Sequence, residues 1–291
     1  MRAFRLGYVE LASAEFEEEL RYYEDVIGAT AVDHSSDAAY LSMGLHHHDI
    51  SLASAPTSGL RAIGLQIACE SIADIATRLR DHGLHGEAMS DSRPGVPRLV
   101  QVAVPGGHTF HLYPEMTTSA PGFKRSGIGP NRLGHVAVLS AEAEKLIAFL
   151  VDVLGFRLTD WLDGLATFLT CNHDHHVLNV VTAPVTKLHH VAFELRGRDH
   201  HYDAADILGK AGRPILWGPA RHTAGHNLAS YHFAPGRYLT ELYAELDVFV
   251  PELNAFEPRP WHETLPLRPQ VWPASPLTGW GVEYAFDLRN V

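Results

Sequence analysis

Short apolar segments with a β-strand period recur along the chain, and segments with helical period lie between them. Residues 5–12, RLGYVELA, are typical of a strand, and the helical segment after them ends near Gly28. Residues 62–83 again predict a strand, followed by a helix that Ser71 caps. Short β-branched strands follow each of these helices. The pattern predicts units built from one strand, one helix and three further strands.

The second half of the chain repeats the first half at a nearly constant spacing. Four blocks match, and in them Tyr8 corresponds to His135, His48 to His176, Leu65 to His190 and His111 to Glu241, at offsets of 127, 128, 125 and 130 residues. The repeat predicts an α+β fold of four βαβββ units that pair into two similar domains. We expect the domains at residues 1–117 and 131–247, with a Gly- and Pro-containing linker between them. We expect the tail, 248–291, to pack over the second domain.

Composition narrows the class of partner. The net charge of −11, from 34 acidic and 23 basic residues, disfavours binding to nucleic acid or to an anionic membrane. The chain shows no long apolar run and no signal-peptide pattern, so we expect a cytoplasmic protein. Its two cysteines fit a reducing compartment. The 20 histidines are numerous, and imidazole is a common ligand of iron, zinc and copper.

Three residues of the second half form a candidate metal site. His135, His190 and Glu241 each lie in a different predicted strand. Two imidazoles and one carboxylate can occupy one face of an octahedron and leave the other face to substrate and oxygen, as in non-haem Fe(II) oxygenases. A single strand histidine is more often an ordinary partly buried residue. Here all three residues differ from their counterparts in the first half, as expected if only the second half holds the metal.

Longer motifs carry a resemblance to a known family. The segment RHTAGHNLASYHFAPGRYLTELY has the spacing His-x8-Tyr-x9-Glu, and LHHVAF and GHV contain the two other ligand candidates. With these motifs the chain resembles the type I extradiol catechol dioxygenases of the vicinal oxygen chelate superfamily, from residue 5 to about residue 246. Ala220, Ser230 and Arg237 depart from the family's usual residues, but none of them is a ligand position.

The resemblance implies a reaction and a cofactor. A member of this family inserts both atoms of O2 into a catechol-type diol and opens the ring beside the hydroxyls, at a mononuclear Fe(II). Mn(II) uses the same ligand set, here His135, His190 and Glu241. The partners would therefore be a small catechol and O2, and the family resemblance also suggests a homo-oligomer.

The resemblance also implies three residues that act beside the metal. His222 and Tyr231 would hydrogen-bond the oxygen atoms of the bound reactants. The acid–base histidine is His176 according to the register of the motif, whereas counting fifteen residues back from His190 favours His175. A histidine there could take a proton from the diol and return one during the reaction.

The substrate pocket is expected to be aromatic, which favours a flat and weakly polar ring. Tail residues such as Trp272 or Trp280 could act as a lid. The expected wall consists of Phe168, Phe193, Trp217 and Tyr243.

Two other functions share this fold. A glyoxalase-like isomerase or epimerase would use Zn, Ni or Co and usually takes ligands from both halves of a module pair. A binding protein of the resistance type would use no metal. The retained His222 and Tyr231 beside the three ligand candidates favour the dioxygenase over both alternatives.

Overall fold

A computed structural model describes residues 1–69, 71–119, 121–122 and 126–284 of the chain. Part of the expected linker and the last seven residues of the expected tail, 285–291, lie outside the described residues. In the part that is described, no helix is long and apolar enough to cross a membrane.

The first half forms an eight-stranded sheet in the order β2-β3-β4-β1-β5-β8-β7-β6. Strands β1 and β5 are antiparallel neighbours at its centre, and each is the first strand of one βαβββ unit. The strands are β1 Arg2–Ser13, β2 Thr30–His34, β3 Ala38–Ser42, β4 Ile50–Ser54, β5 Gly59–Ala68, β6 Gly86–Arg93, β7 Val96–Ala103 and β8 Thr109–Tyr113. The helices are α1 Phe16–Arg21, which continues as a π-helix over Tyr22–Ile27, and α2 Ile72–Asp81.

The second half forms a sheet with the same internal order, β10-β11-β12-β9-β13-β16-β15-β14. Its strands are β9 Arg132–Ser140, β10 Arg157–Leu162, β11 Ala166–Thr170, β12 Leu178–Thr182, β13 Lys187–Glu194, β14 Trp217–His222, β15 Leu228–Phe233 and β16 Leu239–Ala244. The helices are α3 Ala143–Ala148, continued as a π-helix over Phe149–Val153, and α4 Arg198–Lys210. The predicted α+β fold of four βαβββ units is confirmed.

Local sequence accounts for the ends of the helices. Ser71 and Asp74 form a capping box at the start of α2, in which each side chain accepts a hydrogen bond from the backbone of the other residue. The π-helical turn after α1 ends at Gly28, whose φ of 88° is costly for residues that carry a Cβ. A glycine with a positive φ ends the helix in each repeat.

The Gly of the repeated RLG motif has a packing reason. A Cβ placed at Gly134 would lie 1.9 Å from the hydroxyl of Tyr243, and one placed at Gly7 would lie 1.6 Å from that of Tyr113. In each half the first strand therefore needs a glycine where a tyrosine of the last strand crosses beneath it. This tyrosine supports the strand that carries the candidate ligand His135.

Strand alternation separates two faces of the second sheet. Val136 and Val138 of β9 belong to the large apolar core that the sheet shares with the helices and with the first half. His135, Ala137 and Leu139 therefore point to the opposite, concave face, where the candidate site lies.

The tail, 248–291, pairs with both edges of the second sheet in its described part. Val271–Trp272 (β19) pairs with β10, and Thr278–Trp280 (β20) pairs with β14. A further short hairpin joins Phe249–Val250 (β17) to Ala255–Phe256 (β18). The tail residues show no strand period because each of these strands is only two or three residues long. They cover edges that would otherwise expose unpaired backbone groups.

Candidate metal centre

Three ligand atoms meet on the concave face of the second sheet. One atom each of His135, His190 and Glu241 lies within 4.8 Å of the other two, and all three side chains are buried. The residues come from the neighbouring strands β9, β13 and β16. Glu241 Oε2 is 3.2 Å from His135 Nε2 and 3.1 Å from His190 Nε2. Two imidazoles and a carboxylate around one point fit a divalent transition metal.

The hydrogen bonds of His190 also fit a metal ligand. Its Nε2 has no hydrogen bond of good geometry within the described residues, although it is buried and lies near Glu241. Its Nδ1 lies 2.6 Å from Nδ1 of His189. When His190 donates its Nδ1–H to His189, the lone pair on Nε2 points toward Glu241, which is the form that binds metal.

The carboxylate of Glu241 is held from both sides. Tyr231 donates its hydroxyl to Oε2 at 2.6 Å, and Asn227 donates its amide to Oε1 at 2.7 Å. Burial alone would raise the pKa of Glu241, but His135 and His190 hold that pKa well below its usual value. The group is therefore ionised, as a metal ligand must be. Asn227 is absent from the residues expected from the sequence, although it lies in the His222–Glu241 motif segment.

His176 lies beside the candidate ligands and is itself held by a series of hydrogen bonds. Its ring centroid is 4.3 Å from that of His135, and its Nδ1 is 2.9 Å from Nδ1 of His175. His175 Nε2 is 2.9 Å from Asp160 Oδ2, which also accepts the indole N–H of Trp272 at 2.6 Å. His176 is part of the cavity wall, whereas His175 is not.

Asp160, the last residue in this series of hydrogen bonds, determines which atom donates in each of them. Asp160 also accepts the backbone N–H of Gln270 at 2.8 Å, so its carboxylate acts as an acceptor throughout. His175 then donates its Nε2–H to Asp160 and accepts at Nδ1 the N–H of His176. Burial lowers the pKa of His176 well below its usual value, so the ring is neutral. Its lone pair is then on Nε2.

His222 and Tyr231 complete the polar wall of the cavity. His222 Nε2 is 3.2 Å from the Tyr231 hydroxyl oxygen. Burial lowers the pKa of His222 to about 4. Burial and the nearby Glu241 raise the pKa of Tyr231 well above its usual value. Both groups are therefore uncharged near neutral pH, and the one hydroxyl hydrogen of Tyr231 is directed to Glu241.

The cavity itself holds about 550 Å³ of space not filled by atoms, part of it open to solvent. Polar groups gather at the ligand end, and the far wall is apolar. The tail contributes Leu277 and Tyr284 to the wall, while Trp280 is half exposed at the surface. The apolar wall consists of Leu162, Ala166, Phe168, Val181, Ala224 and Leu277.

The expected pocket wall needs correction. Phe168 lines the cavity, but Phe193 is fully buried in the core on the other face, because it alternates with Ala192 along β13. Trp217 stacks behind His222, with ring centroids 4.7 Å apart. Tyr243 lies behind His135, with ring centroids 4.9 Å apart. Trp217 and Tyr243 thus support polar groups of the site, and none of the three aromatic residues lines the cavity.

In the first half, the position equivalent to the candidate metal centre is filled by side chains of the first half. The Tyr8 hydroxyl is 2.8 Å from His111 Nδ1. The strand register also corrects one counterpart. His190 pairs with Ala137 just as Ala62 pairs with Glu10, so Ala62, and not Leu65, corresponds to His190. With an alanine and a tyrosine at two of the three positions, the first half lacks the ligand set.

A second His–carboxylate group joins the tail to the sheet. Asp247 accepts hydrogen bonds from His226 at 2.6 Å and from His262 at 2.9 Å. The indole N–H of Trp261 points to the same carboxylate at 3.1 Å. An indole N–H can only donate, so its presence on the carboxylate is typical of a hydrogen-bonded anchor and not of a cation site.

The chain is similar to known dioxygenases. Residues 132–241 match the model of the Glyoxalase/Bleomycin resistance protein/Dioxygenase superfamily. A 2,2',3-trihydroxybiphenyl dioxygenase from Sphingomonas paucimobilis is 26% identical over 295 residues, covering 94% of this chain and 97% of the relative. A manganese-dependent 2,3-dihydroxybiphenyl 1,2-dioxygenase from Geobacillus genomosp. 3 is 25% identical over 290 residues, covering 89% and 90%.

A solved structure extends the similarity to the whole fold. The Mn(II)-bound glyoxalase from Novosphingobium aromaticivorans superposes with a TM-score of 0.85 at 26% identity, covering 97% of this chain and 92% of that one. The segment that matches the superfamily contains all three ligand candidates. Two of these three similar proteins carry manganese in their names.

Proposed function

We propose that the chain is an extradiol dioxygenase of the glyoxalase, bleomycin resistance protein and dioxygenase superfamily, and that it opens catechol-type rings at a single Fe(II). The family resemblance seen in the sequence is confirmed by relatives that are themselves dioxygenases of aromatic diols. The observation that carries the proposal is the position of His176 beside two imidazoles and a carboxylate at the end of a cavity with an apolar wall.

His135, His190 and Glu241 would hold the metal on one side and leave its other side to the cavity. When bound, Fe(II) would bring the diol and O2 together and carry electrons from one to the other. Mn(II) has the same ligand preferences and is the metal of a similar dioxygenase. We take Fe(II) as the proposed metal because its ligand set is that of the non-haem iron oxygenases.

The remaining polar residues would move and hold protons. His176 is neutral, so its Nε2 can accept a proton from a diol hydroxyl and later return it to an oxygen atom of the reactants. His222 and Tyr231 would stabilise negative charge that develops on those oxygens, Tyr231 by turning its hydroxyl from Glu241 to the reactants. The apolar wall would hold the ring and exclude water. The partners are therefore a small aromatic diol and O2.

Oxygen uptake tests this function. Metal-free protein would be loaded with Fe(II) or Mn(II) without oxygen, then mixed with O2 and a panel of catechols that includes 2,3-dihydroxybiphenyl. We expect consumption of one O2 per diol and a yellow ring-opened product. No oxygen uptake with any catechol and either metal would contradict the proposal.

A second function has one observation in its favour, the similarity to a Mn(II)-bound glyoxalase. An isomerase of this type would transform its substrate without consuming oxygen. Its ligands usually come from two paired modules, whereas the three candidates here all lie in the second sheet. Turnover of a glutathione-derived hemithioacetal under anaerobic conditions would support this alternative.

A further inference from the structure

The polar side chain of Asn179 lies within the apolar wall of the cavity. Asn179 of β12 lines the cavity between strand neighbours on the same concave face. It pairs with Phe168 of β11 on one side and with Ala137 of β9 on the other. The next residue of β12 on this face is Val181, which pairs with Ala166. These strand neighbours of Asn179 offer no hydrogen bond from their side chains.

The amide oxygen of Asn179 has no partner in the part of the chain that the structure describes. Its Oδ1 is shielded from solvent and makes no hydrogen bond there. A buried acceptor without a donor is costly, and polar groups in protein interiors are ordinarily paired. A strand position that faces a cavity would readily take Val or Thr in place of Asn. Asn179 as a whole is only partly buried and lines the cavity, so turning its amide would present this oxygen to a donor that enters the cavity.

The position of Asn179 indicates which part of a substrate it reaches. Its partner Ala137 lies two residues beyond His135 on β9, which corresponds to roughly 7 Å along the strand. The diol must lie at the ligand end, next to His135 and His176. Ala137 pairs on its other side with His190, so Asn179 is level with this candidate ligand and two strands from it, roughly 10 Å. Asn179 is thus displaced sideways from the diol and lies where a ring substituent would lie, next to Phe168.

We propose that Asn179 determines substrate specificity by binding a hydroxyl group on the substituent of the catechol. This inference rests on the proposed dioxygenase function and adds a substrate class to it, a diol that carries a further phenolic hydroxyl on a second ring. A hydroxyl can accept from the amide N–H₂, and it can also donate to Oδ1 when the side chain is turned. A carboxylate substituent is disfavoured, because the described residues that line the cavity include no Lys or Arg.

The test compares two ligands that differ by one hydroxyl. 2,3-Dihydroxybiphenyl and 2,2',3-trihydroxybiphenyl would be assayed for kcat/KM and, without oxygen, for Kd with the Fe(II)-loaded protein. We expect the wild type to prefer the trihydroxy compound by at least ~10-fold in both measurements, the size expected for one buried hydrogen bond. Asn179→Val should remove this preference. Asn179→Thr has nearly the shape of Val but keeps a hydroxyl, and should retain part of it.

Val181→Ala is the matched control from the same strand face. This substitution enlarges the cavity at its apolar wall without removing a polar group. It should therefore change kcat/KM and Kd alike for both ligands and leave the ratio between the ligands unchanged. Equal ratios in wild type and Asn179→Val would overturn the inference while leaving the dioxygenase function intact. If neither compound is cleaved, the proposed function fails, and the two Kd values still decide whether Asn179 binds the extra hydroxyl.

Discussion

At the scale of single residues, the site depends on which nitrogen of each histidine carries the proton. Asp160 accepts from a backbone N–H and an indole N–H of the tail, and this leaves His175 as donor to the same carboxylate. His175 therefore accepts a hydrogen bond at its Nδ1, and the proton of His176 lies on the Nδ1 atom that donates this bond. Asp160 thus acts through two imidazoles and does not touch the cavity.

Asp160→Asn should lower kcat/KM by roughly 10- to 100-fold, the usual effect of losing an outer hydrogen-bond partner. The amide can offer an N–H to His175, which reverses the donor direction and leaves His176 Nε2 with the proton. Bound iron per chain should stay at the wild-type level, because no ligand changes.

Asp163→Asn is the control for this prediction, since Asp163 is an exposed carboxylate on the turn that follows the same strand. It should keep full activity. Unchanged activity in Asp160→Asn would show that the proton position on His176 does not depend on the chain of hydrogen bonds.

At the scale of elements, helix α1 of the first half docks on the second sheet through a buried carboxyl group. Glu19 is fully buried, and its Oε2 accepts the backbone N–H of Gly236. Its Oε1 has no partner among the described residues. Burial raises the pKa of Glu19 to about 7. The carboxyl group is therefore protonated in the folded protein at pH values where the unfolded chain is ionised.

This raised pKa predicts the sign of a pH effect on stability. Between the ordinary glutamate pKa near 4.5 and about 7, the folded state binds more protons than the unfolded state, so stability falls as pH rises. The contribution of Glu19 should fall by roughly 2 to 3 kcal/mol between pH 5 and pH 8, at about 1.4 kcal/mol per pH unit. Above about pH 7 it should level off.

Urea unfolding of wild type and Glu19→Gln at pH 5, 6, 7 and 8 measures this contribution as a difference between the two proteins. Glu17→Gln changes an exposed residue of the same helix and should follow the wild type at every pH. A difference between wild type and Glu19→Gln that does not vary with pH would contradict the expected protonation of Glu19.

The elements also show what could be predicted from the sequence. The capping box at Ser71 and the helix end at Gly28 follow from local chemistry and were predictable. The pairing of residues across neighbouring strands was less predictable from the sequence. Side chains alternate between the two faces of a strand, and a β-bulge shifts this alternation by one residue. For this reason Leu65 was paired with His190 in place of Ala62, and Phe193 was expected in the pocket although it lies in the core.

Long-range contacts set a further limit. Asn227 and Asp160 carry no motif of their own, and their roles depend on which strands become neighbours. The short tail strands that pair with the edges of the second sheet were also not predictable from the sequence, because strands this short have no recognisable period. The domain boundaries, the homo-oligomer and the cytoplasmic location stay predictions.

At the scale of the whole molecule, two sheets of the same topology carry different side chains at the equivalent position. The first fills the equivalent position with Tyr8 and His111 and packs its helices against the second. The second collects the candidate ligands on one concave face, and the tail contributes Leu277 and Tyr284 to the cavity wall. The repeat thus provides a scaffold half and a half that we propose to be catalytic.

The measurement that tests this account most directly is the bound iron per chain in ligand variants, determined after anaerobic Fe(II) loading and desalting, with ring cleavage assayed on the same samples. Wild type and His82→Ala, an exposed histidine on the first half, should each hold one iron and cleave catechols. His135→Ala, His190→Ala and Glu241→Ala should lose both iron and activity while keeping a folded far-UV spectrum. Full iron content and full activity in Glu241→Ala would contradict the assignment of the metal centre.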